Sequence, residues 1–144
     1  MDNNPLSCGV VIIRCLNNEA HYLLLRAYQF WDFPKGLKED GEDPLQAAIR
    51  EVEEESTLTD LQFKWGYDYR QTPAYGRHRK IARYYIAQSD SGDVALPVSP
   101  ELGRPEHDEF RWVTYNDALP LLSPRVQPVL DWAHGIVTQH NTRP

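Results

Sequence analysis

The chain has 144 residues, 41% of them hydrophobic, 11% aromatic and 25% charged, and 21 Asp plus Glu against 15 Lys plus Arg leave a net charge of −6. This composition excludes disordered and fibrous classes and suits one globular domain spanning the chain. The longest apolar runs, Val10–Ile13 and Tyr22–Leu25, fall far short of the roughly 18 residues of a membrane span, and Met1–Leu6 has neither a basic start nor an apolar core. A cytoplasmic location is therefore expected, with neither a membrane nor DNA as partner; the oligomeric state stays open.

Cys8–Leu16 is β-branched and apolar, His21–Arg26 is a second apolar run, and Asn17–Asn18 between them forms turns readily, so the start of the chain reads as a hairpin at the centre of a sheet. Cys8 and Cys15 are seven apart and would point to opposite faces of one strand. A disulfide between them is not expected, and both read as core residues. Trp31–Gly36 contains a proline and ends in glycine, which predicts a short strand or loop. Leu45, Ala48, Ile49 and Val52 recur at helical spacing, and Asp43 followed by Pro44 and Gln46 marks a capped start. A helix over Pro44–Glu55 follows. Leu61–Tyr69 and Ile81–Gln88 read as paired strands around the Pro/Gly segment Thr72–Gly76. Ser89–Glu109, with three prolines, reads as a long polar loop, and Phe110–Val113 as a last strand. Asn116 is expected to cap a short helix to Leu122, and a terminal helix is expected from near Ser123 to about Val137, with Pro128 obscuring its start.

Charge along the chain is uneven. Between Gly36 and Leu58 lie Glu39, Asp40, Glu42, Asp43, Glu51, Glu53, Glu54 and Glu55 against Lys38 and Arg50, so this segment alone carries the net charge of the chain. A basic stretch with Arg77, Arg79, Lys80 and Arg83 follows it. On the expected helix Glu51, Glu54 and Glu55 share about 100° of arc while Glu53 points away. Such a face is either a solvated acidic surface, which costs a helix only a few tenths of a kcal/mol per pair, or a site for hard divalent cations, which take oxygen ligands and share them with phosphates. Arg50 could anchor Glu42 and fix the preceding loop against the helix. Gly36 and Gly41 in that loop would let backbone carbonyls approach an ion.

Gly36, Glu42, the run Arg50–Glu55, and then Ser56, Thr57 and Leu58 stand at the separations of the Nudix box, so the chain resembles the Nudix hydrolases. It departs at Thr57, where the family usually has Gly; if a left-handed backbone is needed there, Thr is costly. The resemblance implies an α/β/α sandwich with a central mixed β-sheet, and Mg2+- or Mn2+-dependent hydrolysis of a nucleoside diphosphate joined to another moiety. It assigns Glu51, Glu54, Glu55 and the Gly36 carbonyl to the metal, and Glu42 with Arg50 to a structural pair. It also implies Glu106 as an additional ligand from the late loop, ahead of Glu109. Glu54 ranks first as the proton acceptor, with Glu51 and Glu106 behind.

CGVVIIRC, LLLRAYQFWDFPKG and EHDEFRW further resemble the asymmetrical diadenosine tetraphosphate hydrolases. That implies a dinucleoside polyphosphate substrate, with Lys35 and Lys80 on its phosphates and Tyr84 stacked on a base. Strand alternation leaves open which of Tyr84 and Tyr85 faces outward, and Trp31 is a second stacking candidate or a core residue. Two other substrates remain: triphosphorylated RNA 5′ ends, against which the acidic charge speaks for long RNA, and free nucleoside or pteridine triphosphates. A nucleotide sensor without turnover is the reading from another class, and the three intact carboxylates count against it.

Overall fold

The computed structural model describes residues 4–141. Strands β1 (Leu6–Leu16) and β2 (Glu19–Ala27) form the expected antiparallel hairpin. Both turn residues have positive φ, 53° at Asn17 and 63° at Asn18, the conformation that matches the twist of a two-residue hairpin and that Asn tolerates better than most side chains. Strands β3 (Phe30–Asp32) and β4 (Lys35–Leu37) follow, then helix α1 (Pro44–Ser56), short β5 (Leu61–Gln62) and β6 (Arg70–Gln71), and the long β7 (Ile81–Ser89). The small pair β8 (Val98–Ser99) and β9 (Arg104–Pro105), strand β10 (Glu109–Val113), helix α2 (Tyr115–Ala118) and helix α3 (Gln127–Asn141) complete the chain.

The main sheet runs β10-β2-β1-β7-β5, with β3 on β2, β4 on β1 and β6 on β7. β1 and β7 are parallel and every other pairing is antiparallel, so the sheet is mixed. One core lies between the sheet and α1, built on Cys8, Val10, Ile12, Leu23 and Leu25 with Ala47, Ala48 and Val52. The other lies beneath α2 and α3, where Val11, Ile13, Tyr22 and Leu24 meet Leu130, Ala133 and Val137. The fold is an α/β/α sandwich. The central strands are near-continuous apolar runs because both of their faces are covered.

Several local expectations change. Over Leu61–Tyr69 only Leu61–Gln62 is strand; Tyr67 and Tyr69 are exposed aromatics outside it. The late loop carries the β8–β9 pair. Thr114, not Asn116, caps α2, and a 3-10 turn over Leu119–Leu121 continues it. α3 begins at Gln127 with Pro128 in its first turn, where a missing N–H costs nothing. Cys8 is buried as expected but Cys15 is exposed, because β1 runs past the helical layers near its end. Among the described residues no helix is long and apolar enough to cross a membrane.

Candidate active site

Helix α1 positions the acidic residues. Asp43 accepts hydrogen bonds from the N–H groups of Leu45 and Gln46 at 3.1 and 3.2 Å, which satisfies two donors left open at the helix start. The buried face is Ala47, Ala48, Val52 and Ser56; it shares Ala48 and Val52 with the stripe read in the sequence and is rotated away from Leu45 and Ile49, which are half-buried. Two alanines side by side let the helix approach the sheet closely, and this rotation draws Glu51 and Glu55 into the margin of the core. The Glu51 side chain is 13% exposed and that of Glu54 56%. At the far end Thr57 has φ 65° and ψ 5° and its N–H donates to the Glu53 carbonyl. The left-handed cap is thus kept with Thr in place of Gly.

Arg50 joins the acidic groups. Its Nε and Nη2 donate to the two Glu42 oxygens at 2.8 and 3.0 Å, and its Nη1 donates to Glu51 at 2.8 Å and Glu54 at 2.9 Å. Nη2 also reaches the Leu37 carbonyl at 3.1 Å. The Arg50 hydrogen bonds, with one from the Glu39 N–H, hold the Glu42 carboxyl down at about 2. The pair expected of Glu42 and Arg50 is present and bidentate; the i,i+4 spacing of Arg50 and Glu54 allows the further contact with Glu54, while nothing in the sequence signals the one with Glu51.

Gly36 sits in strand β4, paired with Cys8 of β1, rather than in a loop. A Cβ added to Gly36 would overlap the Glu51 carboxylate, so glycine serves here for close approach of carboxylate and backbone, not for a special φ. The Lys35 N–H donates to Glu55 Oε1 at 3.1 Å, which ties the helix to the same strand. The late loop brings Glu106 and His107 to Glu55, with ligand atoms of all three within 4.8 Å of one another. Burial, and after it Glu106, pushes the Glu55 carboxyl up to about 10, and burial raises Glu51 as well. Glu109, the second candidate from this loop, is instead engaged by Arg26 and Arg111. His107 carries no signal of its own in the sequence, although it stands in the same EHDE run as Glu106.

Lys35 Nζ lies 3.7 Å from Asp32 Oδ2. Burial pulls its ammonium pKa down, but Asp32, Tyr75 and Glu55 outweigh burial and the net direction is up, so the cation is retained. Tyr84 corrects the sequence reading. It is fully buried, and its hydroxyl donates to Asp32 Oδ1 at 2.9 Å, so neither ring face is free to stack on a base. Tyr85 is buried too, in the opposite layer; alternation sends both inward because β7 is covered on both sides. Trp31 is half-buried with the Arg111 guanidinium 4.7 Å from its ring centroid. Of the basic stretch, Arg77 and Arg79 are exposed, Arg83 lies 4.0 Å over the Tyr69 ring, and Lys80 faces the site.

Two hollows flank the carboxylates. One, of about 450 Å³, is lined by Asp32, Lys35, Gly36 and Lys80; the other, of about 500 Å³, lies against Leu96–Glu101 beside β8. Glu51, Glu55, Glu106 and His107 line both. The donor set is almost entirely oxygen, and burial with mutual repulsion raises the Glu55 and Glu51 carboxyls, so the residues fit a hard divalent cation.

The chain belongs to the Nudix hydrolase family: residues 6–133 match the NUDIX domain. It is 33% identical over 120 residues to the asymmetrical bis(5′-nucleosyl)-tetraphosphatase of Caenorhabditis elegans, covering 78% of this chain and 81% of that one. It is 31% identical over 130 residues to the RNA pyrophosphohydrolase of Psychromonas ingrahamii, covering 80% and 71%. Among solved structures, a binary complex of a C. elegans Ap4A hydrolase superposes with a TM-score of 0.80 at 25% identity, over 94% of this chain and 98% of that chain. Nudix hydrolases use divalent metals such as Mg2+.

Proposed function

We propose that this protein is a metal-dependent pyrophosphohydrolase of dinucleoside polyphosphates, cleaving diadenosine tetraphosphate to ATP and AMP. The observation that carries this reading is the ridge of carboxylates between two hollows, one of them walled by Lys35 and Lys80. A substrate with a moiety on each side of the scissile phosphate fits that arrangement, and the tetraphosphatase relative supports it.

Glu51, Glu54, Glu55, Glu106 and the Gly36 carbonyl would hold Mg2+ or Mn2+. When bound, such ions neutralise phosphate oxygens and lower the pKa of a water. Arg50 fixes the directions of Glu51 and Glu54. Glu54, the most exposed of the three helix carboxylates, accepts the proton of the attacking water, with Glu51 and Glu106 the next in line. Lys35 and Lys80 meet phosphate oxygens, and water attacks the phosphorus nearest one adenosine. Trp31 is retained as a base-stacking surface and Tyr84 is not.

Incubation with diadenosine tetraphosphate and Mg2+ should release ATP and AMP in equal amounts; formation of two ADP would rule the reading out. The RNA pyrophosphohydrolase relative favours a second substrate, the triphosphorylated RNA 5′ end, which is the activity assigned if pyrophosphate leaves RNA while the dinucleotide stays intact. Glu54→Gln should cut turnover by orders of magnitude while stability stays within about 0.5 kcal/mol, as for an exposed position. Turnover that survives this change would move the proton acceptor to another residue.

A further inference from the structure

The late loop brings a second group to the carboxylates, His107, that has no task in the hydrolysis described above. Its side chain is 14% exposed, and its Nδ1 lies 3.8 Å from Glu106 Oε2, too long for a hydrogen bond. The ring lines both hollows. One of its nitrogens stands within 4.8 Å of a carboxylate oxygen of Glu55 and one of Glu106. Donors about 2.1 Å from a single ion are at most about 4.2 Å apart, so a contraction of well under an ångström lets all three meet one cation.

The segment that carries His107 is held at its foot. The Asp108 N–H donates to the Arg26 carbonyl at 2.9 Å, and at Glu109, paired with Arg26 of β2, the chain is already in the sheet. The Arg26 side chain adds to this, with Nη2 3.2 Å from Asp108 Oδ1 and Nε 3.2 Å from Glu109 Oε1. Ion pairs as exposed as these stabilise little, so the backbone pairing supplies most of the constraint. Glu106 and His107 therefore leave a fixed strand end, the kind of rigid support that holds donor atoms in place before an ion arrives.

An imidazole among oxygen donors changes which ion is preferred. Mg2+ takes oxygen ligands and gives up its waters reluctantly, whereas first-row transition ions accept imidazole beside carboxylate. We propose that His107 is a metal ligand together with Glu55 and Glu106, and that its nitrogen gives this position a preference for Mn2+ over Mg2+. The other donors, Glu51, Glu54 and the Gly36 carbonyl, are all oxygen, so the preference belongs to the Glu55 side of the ridge. This rests on the divalent-metal reading of the carboxylates, but not on which nucleotide is hydrolysed.

The test is pulsed electron paramagnetic resonance of Mn2+ bound to the full chain, with no nucleotide added. The wild type should show modulation from a coordinated imidazole nitrogen, altered in protein grown on isotopically labelled histidine, and His107→Gln should abolish it. In calorimetric titration the same change should weaken Mn2+ at least about tenfold, since even partners outside the ligand set alter metal affinity by that much, and weaken Mg2+ far less. Bound Mn2+ with no histidine coupling in the wild type overturns the proposal, whether or not the variant folds. An equal loss of both ions in the folded variant overturns it too and would make His107 a positioning residue for Glu106. A wild type that binds no Mn2+ removes this proposal along with the metal reading. If the coupling is present but diadenosine tetraphosphate is not cleaved, the substrate assignment above fails and the ligand role of His107 stands.

Discussion

Single positions decide how closely charge and backbone approach in this site. Gly36 is needed because the Glu51 carboxylate occupies the space a Cβ would fill, while Thr57 holds a left-handed cap that glycine would hold with less strain. A β-branched residue in that region costs on the order of 1 kcal/mol, partly offset by the extra freedom glycine has when unfolded. Thr57→Gly should therefore stabilise the protein by about 0.5–1 kcal/mol, seen as a higher Tm; an unchanged or lower Tm would mean that the Thr57 side chain makes up for its backbone. The departure at this position is visible in the sequence, but its φ is not. Tyr84 shows the converse limit: period-two alternation assumes one wet face, and β7 has none.

At the level of elements, the Glu42–Arg50 clamp joins the segment before α1 to the helix and, through Arg50, to two of the carboxylates. Glu42 titrates near 2 in the folded protein against an ordinary value of 4.5. A depressed carboxyl pKa adds stability above the unfolded value and loses it as pH falls through the folded one. The stability gap between wild type and Glu42→Gln should be full at about pH 7, begin to shrink below about 4.5 and close near 2, measured by urea unfolding across that range; a gap that ignores pH would assign the effect of Glu42 to shape rather than charge. Most of the clamp and of α1 was legible in the sequence, since caps, helical spacing and paired charges all act within a few residues. The β5 and β6 fragments were not, because the aromatic run Leu61–Tyr69 looks like strand while only two residues of each fragment pair with β7. The meeting of Glu55 with Glu106 was readable only through the family resemblance, and that with His107 not at all, because both depend on how a loop some fifty residues further on folds back.

For the whole molecule, the charge of −6 belongs to one segment and is concentrated further by the arrival of Glu106. Ions that bind only the folded site stabilise it by mass action, about 2.7 kcal/mol at a hundredfold excess over Kd. Adding Mg2+ to chelator-treated protein should raise Tm by roughly 5–10 °C at that excess, and a Tm unmoved by Mg2+ or Mn2+ would count against the carboxylate site. The parallel pairing of β1 with β7 has a different kind of consequence. Leu6 sits against Ile81 and Val10 against Tyr85, so one side of β1 waits for a partner seventy-five residues later while β2 arrives within a short turn. Local hairpins close in microseconds and distant pairings far more slowly. In pulse-labelled hydrogen exchange during refolding, amides between β1 and β2 should gain protection before those between β1 and β7; simultaneous protection would contradict this order. During synthesis the apolar β1 edge stays unpaired until more than half the chain has been made, the interval in which unwanted strand pairing between chains is easiest.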